Sequence, residues 1–306
     1  MYDVIIIGGG PAGLTAGLYA ARARMKSLLI EKGFSGGQVM TTEWIENYPG
    51  FEEGISGAEL AGKMEAQALR FGLEITQGSV IGVVSEGKYK KVRLDDDSEL
   101  ETKAVILATG SNPRPLNIKG EDEYRGRGVS YCATCDGAFY KDDVLVVVGG
   151  GDSAVEEGLF LTKFASKVYI VHRRDQLRAA KVVQERAFAN PKIEFIWDSA
   201  VREIKGDESG VETIDLENLK TGEHSTIQAK GIFIYIGYDP NTEFIKELVT
   251  LNESNYIVAE EDMSTSTPGV FVAGDVRSKP LKQIATAVGD GAIAAITAEK
   301  YVEETF

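Results

Sequence analysis

The chain has 306 residues, 43% of them hydrophobic and 26% charged, with 47 acidic against 33 basic side chains and a net charge of −14. These proportions belong to a water-soluble globular protein long enough for two cores, and the acidic excess argues against a nucleic-acid partner, whose phosphates need a basic face. Residues 4–21 carry no charge, yet Asp3 stands where a secretory leader needs lysines, and glycines and Pro11 interrupt the run, so neither a leader nor a membrane span is expected and the cytoplasm is the expected location.

In chain order, residues 2–7 (YDVIII) read as a buried strand and run straight into GGGPAG, where Gly8, Gly10 and Gly13 satisfy the G-x-G-x-x-G spacing. An alanine-rich helix is predicted from Pro11 to Arg24, and a second strand, SLLIE, ends on Glu31. Each part has a task in holding a dinucleotide. The glycines permit a tight turn and close approach to pyrophosphate, the helix start after Pro11, which itself has no N–H, offers the free N–H groups of Ala12 and Gly13 to the anion, and Glu31 can bond ribose hydroxyls. A polar, alternating stretch at about 74–103 reads as an antiparallel meander, followed by an apolar strand, AVILATGSNPRP (104–115), that ends in Gly110-x-x-Pro113.

The same order then recurs. VLVVV (144–148) enters GGGDSAVEEG, with Gly149, Gly151 and Ala154 at the fingerprint positions and Asp152 and Ser153 opening the helix. In the register that places Glu31 in the first copy, the second has His172, then Arg173 and Arg174, with Arg178 four residues further on. A carboxylate repels a 2′-phosphate, whereas guanidiniums bind one bidentately, so the first copy suits a dinucleotide with free ribose hydroxyls and the second suits NADPH. A second meander is predicted at about 192–230, and GIFIYIGYDPNT (231–242) repeats the strand-Gly-x-x-Pro ending through Gly237 and Pro240. GVFVAGD (269–275) is a strand of the first copy, and an alanine-rich helix (283–300) closes the chain. The expected fold is α/β, with two Rossmann-like dinucleotide-binding domains of three-layer ββα type, one inserted in the other. Residues 1–112 and 242–306 make the host, residues 113–241 make the insert, and the linkers lie at Asn112–Pro115 and Tyr238–Thr242.

The chain's two cysteines, Cys132 and Cys135, fall together in CATCDG. A zinc site lacks further ligands, since His172 belongs to the nucleotide pattern and His224 to a polar loop. A staple across a two-residue gap closes almost no loop, and structural disulfides are rare in the cytoplasm. A working redox pair is what remains.

With these motifs in this order, the chain resembles the bacterial-type, low-molecular-weight thioredoxin reductases, flavoproteins with two dinucleotide-binding units. The resemblance runs through GGGPAG, GGQ (36–38), ENYPG (46–50), ATG (108–110), CATCDG, GGGDSAVEE (149–157), HRR (172–174) and GVFVAGDV (269–276). It implies FAD on the host unit, with pyrophosphate at Gly8, Gly10, Pro11, Ala12 and Gly13 and ribose at Glu31. Gly37, Gln38 and Asn47 would hold the flavin end beside Ala108, Thr109 and Gly110, Asp275 the ribitol, and the backbone of Gln283, Ile284 and Ala285 the pyrimidine edge. NADPH would be held by Gly149, Gly151, Asp152, Ser153, Ala154, His172, Arg173, Arg174, Arg178 and Gly237.

The resemblance also implies a route for the electrons: NADPH to FAD, then to the Cys132–Cys135 disulfide, then to the disulfide of thioredoxin. Cys135 would be the flavin-side sulfur, Cys132 the one that attacks the partner, and Asp136 the general acid, although Asp136-Gly137 is also a strong turn pair. Arg127, Phe139 and Tyr140 become candidate contacts for the partner, and a homodimer is implied. One departure is Lys282, which precedes Gln283 where relatives often carry arginine and replaces a fork by a point charge. Because nicotinamide and dithiol both belong to the insert and must reach one flavin on the host, a rigid rotation about the linkers between two orientations is expected.

Two other readings stay open. One is a related flavoprotein that serves a peroxidase or is fed by ferredoxin; the former carry an added N-terminal domain, whereas Met1 here leads directly into the first strand, and the latter have lost the NADPH motifs. The other is a non-catalytic flavin- or NADPH-binding sensor, against which the intact Cys-x-x-Cys-Asp speaks.

Overall fold

Runs such as VIII, LLI, VLVVV and IFI have no polar alternation because a parallel strand is covered on both faces. In the computed structural model, which describes residues 1–42 and 44–306, these runs form the central sheets of two units, Met1–Asn112 with Asp239–Phe306, and Pro113–Tyr238.

The first unit opens with β1 (Tyr2–Ile7), α1 (Pro11–Arg22), β2 (Ser27–Glu31), α2 (Gly57–Arg70) and β3 (Glu74–Gln77). β1 pairs in parallel with β2, and β2 with β3. Then β4 (Val80–Glu86), β5 (Tyr89–Leu94) and β6 (Glu99–Leu107) run as an antiparallel meander, and β6 continues in parallel beside β1, with Ile5 opposite Val105 and Ile7 opposite Leu107. The chain leaves this unit along β7 (Ser111–Pro113).

In the second unit, β8 (Val129–Ser130), α3 (Ala133–Asp136), β9 (Val144–Gly149), α4 (Asp152–Leu161), β10 (Lys167–Val171), α5 (Lys181–Ala189) and β11 (Ile193–Ile196) precede a separate meander sheet of β12 (Ser199–Asp207), β13 (Gly210–Asn218) and β14 (His224–Gln228). β15 (Gly231–Tyr235) returns to the parallel sheet, whose order is β11-β10-β9-β15-β8. β16 (Tyr238–Pro240) leads back to the first unit, where β17 (Val270–Val272) pairs with β6 and α6 (Ile284–Thr305) packs on α1. The strands next to the glycine turns therefore follow one order, third-second-first-fourth, in both units.

Side-chain alternation builds the same three layers twice. In the first unit Val4, Ile6 and Ile106 meet Leu14, Ala16 and Ala294 of α1 and α6, while Ile5, Val105 and Leu107 meet Val83 and Val92 of the meander. In the second, Leu145, Val147 and Phe233 face Leu161 of α4, while Val146, Ile232 and Ile234 face Val201, Ile204 and Ile214 of the other meander. Each Val, Leu, Ile or Phe among them, taken out of water, contributes about 1.5–3 kcal/mol.

Three details differ from the sequence reading. Residues 74–77 and 193–196 are parallel edge strands of the main sheets rather than the first strands of the meanders. α1 stops at Arg22, because Arg24 takes a left-handed φ of 63°. The return crossing falls between Tyr238 and Asp239, ahead of the expected boundary at 241. Among the described residues no helix is long and apolar enough to cross a membrane.

Candidate active site

β1 ends at Ile7 and the chain turns at Gly8 with φ +107°, where a Cβ would also stand 2.4 Å from the Ala108 carbonyl oxygen. A Cβ at Gly13 would lie 1.9 Å from the Gly8 carbonyl oxygen, so the turn closes directly onto α1. Among the described residues no side chain caps α1 at Gly10, and the space where a Gly10 Cβ would be is open. Glu31 is aimed by the turn itself: one carboxylate oxygen accepts the Gly9 N–H at 2.6 Å and the other the Gly33 N–H at 2.9 Å. Each oxygen keeps a lone pair for a ligand.

The other host-unit candidates gather around this turn. A Cβ at Gly37 would lie 3.1 Å from the Gly10 Cα. Gln38 donates to the Ser111 carbonyl at 3.4 Å, next to Gly110, and Thr109 and Asn241 exchange hydrogen bonds at 2.9 Å. Asn47 donates to the Gln283 side chain at 3.2 Å, and Gln283 caps α6, whose first residues are Ile284 and Ala285. Lys282 holds its ammonium 3.1 Å from the centroid of the Tyr256 ring.

Asp275 sits in the turn after β17. A Cβ at its neighbour Gly274 would meet the Ala12 Cβ at 2.8 Å, so this turn lies on the start of α1. One Asp275 oxygen is shut off from solvent and has no hydrogen-bond partner among the described residues. Burial pushes its carboxyl above the usual range, against the opposing pull of Lys279. Beneath it, the buried Asp290 of α6 accepts the Gly274 N–H at 3.1 Å, Lys279 at 2.9 Å and Arg277 at 3.2 Å. Lys279 approaches the enclosed Asp275 oxygen only to ion-pair distance, 3.7 Å. An uncapped helix start beside an acceptor with no hydrogen-bond donor among the described residues fits a dinucleotide that brings a pyrophosphate and a polyol.

The second unit repeats the turn with different chemistry. Gly149 has φ +149°, and a Cβ there would stand 2.3 Å from the Tyr235 carbonyl oxygen and 2.7 Å from Ala154. α4 begins at Asp152 and Ser153, and Gly151 before it is open and uncapped among the described residues. The arginine segment is tied to this turn, since the Arg178 N–H donates to the Gly150 carbonyl at 2.7 Å and Asp152 accepts the Ala180 N–H at 2.6 Å. His172 is buried against Gly150, and its Nε2 has no partner among the described residues. Burial, then the charge of Arg178, hold its pKa below the ordinary value, so it is neutral at pH 7. Arg173, Arg174 and Arg178 are exposed and form no ion pair among the described residues. In so acidic a chain, three unpaired guanidiniums beside an uncapped helix fit a phosphorylated nucleotide. Gly237, φ +122°, follows β15.

The cysteines form a disulfide, with Cα atoms 5.3 Å apart, on the single turn α3. Cys132 caps this turn, its sulfur accepting the Cys135 N–H at 3.1 Å and its carbonyl the Asp136 N–H at 3.2 Å. The Ser130 hydroxyl accepts the Cys132 N–H at 3.0 Å and donates to the Cys132 carbonyl at 3.3 Å. The Tyr235 hydroxyl accepts the Ala133 N–H at 2.8 Å. Gly137 packs on Leu161 and Phe160 of α4 and takes ordinary helical angles, so Asp136-Gly137 continues the turn rather than reversing the chain. Phe139 is 79% exposed. Arg127 is also exposed and donates to the carbonyls of Glu123 and Glu208, while Tyr140 is half-buried and packs edge-on against Phe233 at 5.8 Å.

Ser130, Tyr235 and the Asp290–Lys279–Arg277 cluster were not singled out from sequence. Asp290 carries a signal, being a lone acid inside the alanine-rich AVGDGAIAA; Ser130 and Tyr235 carry none.

Two doubly wound units, each with a glycine turn after its first strand, and a disulfide carried on one of them, define a nucleotide-linked disulfide oxidoreductase. The chain belongs to the pyridine nucleotide-disulphide oxidoreductase family, whose pattern matches residues 2–291. It is 50% identical over 312 residues to the thioredoxin reductase of Peptoclostridium acidaminophilum, covering 100% of this chain and 98% of that one. Among solved structures it is similar to the thioredoxin reductase of Lactococcus lactis (TM-score 0.97, 52% identity, 99% of this chain and 100% of that one) and to that of Streptococcus pyogenes (TM-score 0.67, 52% identity, 99% of each).

Proposed function

We propose that this chain is an NADPH-dependent thioredoxin reductase that works with FAD, the host unit holding FAD and the inserted unit holding NADPH and the redox pair. The observation that carries the reading is a disulfide on a one-turn helix whose Cys135 is exposed, in the same unit as a glycine turn with three arginines that form no ion pair among the described residues. In that reading Gly8, Gly10, Gly13, Glu31, Asn47, Asp275 and Gln283 hold FAD, and Gly149, Gly151, His172, Arg173, Arg174 and Arg178 hold NADPH. The chemistry that FAD would supply there is acceptance of a hydride from NADPH and delivery of the electron pair to the disulfide.

The chain's own residues supply the rest. Two electrons and two protons convert the Cys132–Cys135 disulfide into two thiols. Cys132, giving up its proton by way of Asp136, attacks one sulfur of the partner's disulfide, forming a mixed disulfide and expelling the other sulfur as a thiolate, to which Asp136 passes that proton. Cys135 then attacks the Cys132 sulfur, restoring the internal disulfide and expelling the second partner sulfur, which takes up the Cys135 proton, so that the partner leaves as a dithiol. Phe139, exposed next to the pair, is the apolar contact for the partner, with Arg127 and Tyr140 shaping its surroundings.

One isoalloxazine on one unit must be served by nicotinamide and by disulfide, both on the other. Each demands near-contact, which one rigid arrangement hardly provides. We infer two orientations related by rotation about Asn112–Pro115 and Tyr238–Thr242. In support, two relatives each 52% identical to this chain match it at TM-scores of 0.97 and 0.67, a spread that sequence divergence does not account for. A cytoplasmic homodimer is part of the reading, to be checked by sedimentation. The experiment for the activity is NADPH oxidation by the FAD-loaded protein with thioredoxin, with NADH run alongside; absence of thioredoxin-dependent turnover with NADPH overturns it. For the rotation, an engineered crosslink between the units should block one half-reaction until cleaved, and full turnover while locked overturns it.

A further inference from the structure

The last residue of β15 reaches both functional parts of the second unit. Tyr235 lies in register with Gly149, the first glycine of the nucleotide turn, and its carbonyl oxygen would be 2.3 Å from a Cβ there, so its backbone is fixed against that turn. Its side chain leads to the redox pair: the hydroxyl accepts the N–H of Ala133 at 2.8 Å, and Ala133, fully buried, directly follows Cys132. α3 is a single turn, far short of the length at which a helix sustains itself. While the disulfide is closed, the covalent bond holds the turn. Once it is reduced, the geometry rests on the packing of Ala133 and Gly137 and on a few hydrogen bonds: Cys135 N–H to the Cys132 sulfur, Asp136 N–H to the Cys132 carbonyl, the two made by Ser130, and the Tyr235 tether.

We propose that Tyr235 is a positioning residue of the reduced pair: its hydroxyl binds the first amide of α3 to β15 and keeps the two thiols facing each other after the disulfide opens. The proposal rests on the redox-pair reading. Burial, and then the charge of Glu157, push the phenol well above its ordinary pKa, so it remains a neutral hydroxyl throughout the working pH range. Its contribution is proximity: a held turn raises the effective concentration of one sulfur against the other, which favours ring closure to the disulfide and speeds the attack of Cys135 on a Cys132-linked partner.

The test is Tyr235→Phe, which keeps the ring in its cluster beside Leu145 and Phe233 and deletes only the oxygen. The holoenzyme is equilibrated in glutathione buffers, and open and closed pairs are counted by alkylation and mass spectrometry. The expected result is an equilibrium about tenfold further toward the dithiol, equivalent to about 30 mV, with mixed disulfide accumulating during turnover and NADPH affinity unchanged. A lower melting temperature with an unmoved equilibrium would make Tyr235 a packing residue and overturn the proposal. If Tyr235→Phe does not accumulate as folded protein, Tyr235→His, which retains a ring and an acceptor nitrogen, should lie nearer the parent than Tyr235→Leu; equal equilibria in parent, His and Leu variants overturn it equally. A pair that stays closed in the parent in every buffer and with NADPH defeats the redox-pair reading, whereas equal opening in parent and variant defeats the tether alone.

Discussion

Replacing both Arg173 and Arg174 by alanine tests coenzyme choice. The two side chains are exposed and make no ion pair among the described residues, so the substitution strands no buried charge and leaves fold stability nearly untouched. What is lost is the interaction with a 2′-phosphate. A hydrogen bond to a charged group contributes about 1.5–3 kcal/mol, and at a solvent-exposed site the lower end applies. Two such bonds give about 3 kcal/mol, roughly a hundredfold in kcat/KM for NADPH at about 1.4 kcal/mol per decade. NADH, which has no 2′-phosphate, should change by less than about threefold, and 2′-phospho-AMP should lose its affinity for the variant in calorimetry. Parallel losses for NADPH and NADH, or an unfolded variant, would refute the reasoning, because the arginines would then be serving the fold.

Other substitutions probe the remaining parts. Cys132→Ser and Cys135→Ser should each lower thioredoxin reduction by roughly a thousandfold or more while NADPH still reduces the bound flavin in a stopped-flow trace; normal turnover by both defeats the redox-pair reading. His172 has a folded pKa below its unfolded one, so beneath about pH 6.5 the unfolded chain takes up a proton that the folded one refuses, and stability falls as pH drops from 7 through that range toward the folded pKa. His172→Gln should flatten this part of the melting-temperature profile. Asp275 is the opposite case: its folded pKa is raised, so its charge costs stability above that pKa, a cost that vanishes as pH falls through it. Asp275→Asn should therefore raise the melting temperature of the FAD-free protein at pH 7 while weakening FAD retention about tenfold or more by equilibrium dialysis.

The nucleotide turns were legible because their physics is local: Gly8 and Gly149 need positive φ beside a backbone carbonyl, and few residues tolerate that. The insertion was legible from repetition of strand, turn and Gly-x-x-Pro. The edge strands β3 (EITQ) and β11 (IEFI) were not separated from the meanders, since a short, half-exposed strand looks the same whether its neighbour runs parallel or antiparallel. α2 and α5 escaped notice for a related reason: long polar faces blur the helical period of GAELAGKMEAQALR and KVVQERAFA. Tyr235 was hidden altogether, because the partner of its hydroxyl lies 102 positions earlier and nothing in GIFIY distinguishes a tether from a core tyrosine. The buried anchor Asp290 could have been found by asking which cations an acid inside an alanine-rich helix must meet.

The position beside the fourth strand is filled from opposite ends of the chain, by β17 in the host unit and by β8 in the insert. This sets an order of events on the ribosome. The insert is complete once residue 238 has emerged, whereas the host must wait for β17 and α6 to cover β6 and α1. At about 5–20 residues per second, the roughly 190 residues between the first crossing and the end of α6 take on the order of ten to forty seconds to make. For that interval the apolar face of α1, with Leu14, Ala16 and Ala20, has no α6 to meet. The insert, begun after the host, thus finishes before it, and nascent host segments are the natural clients of a holding chaperone. A chain released after residue 238 should yield a protease-resistant insert attached to a host fragment that is digested.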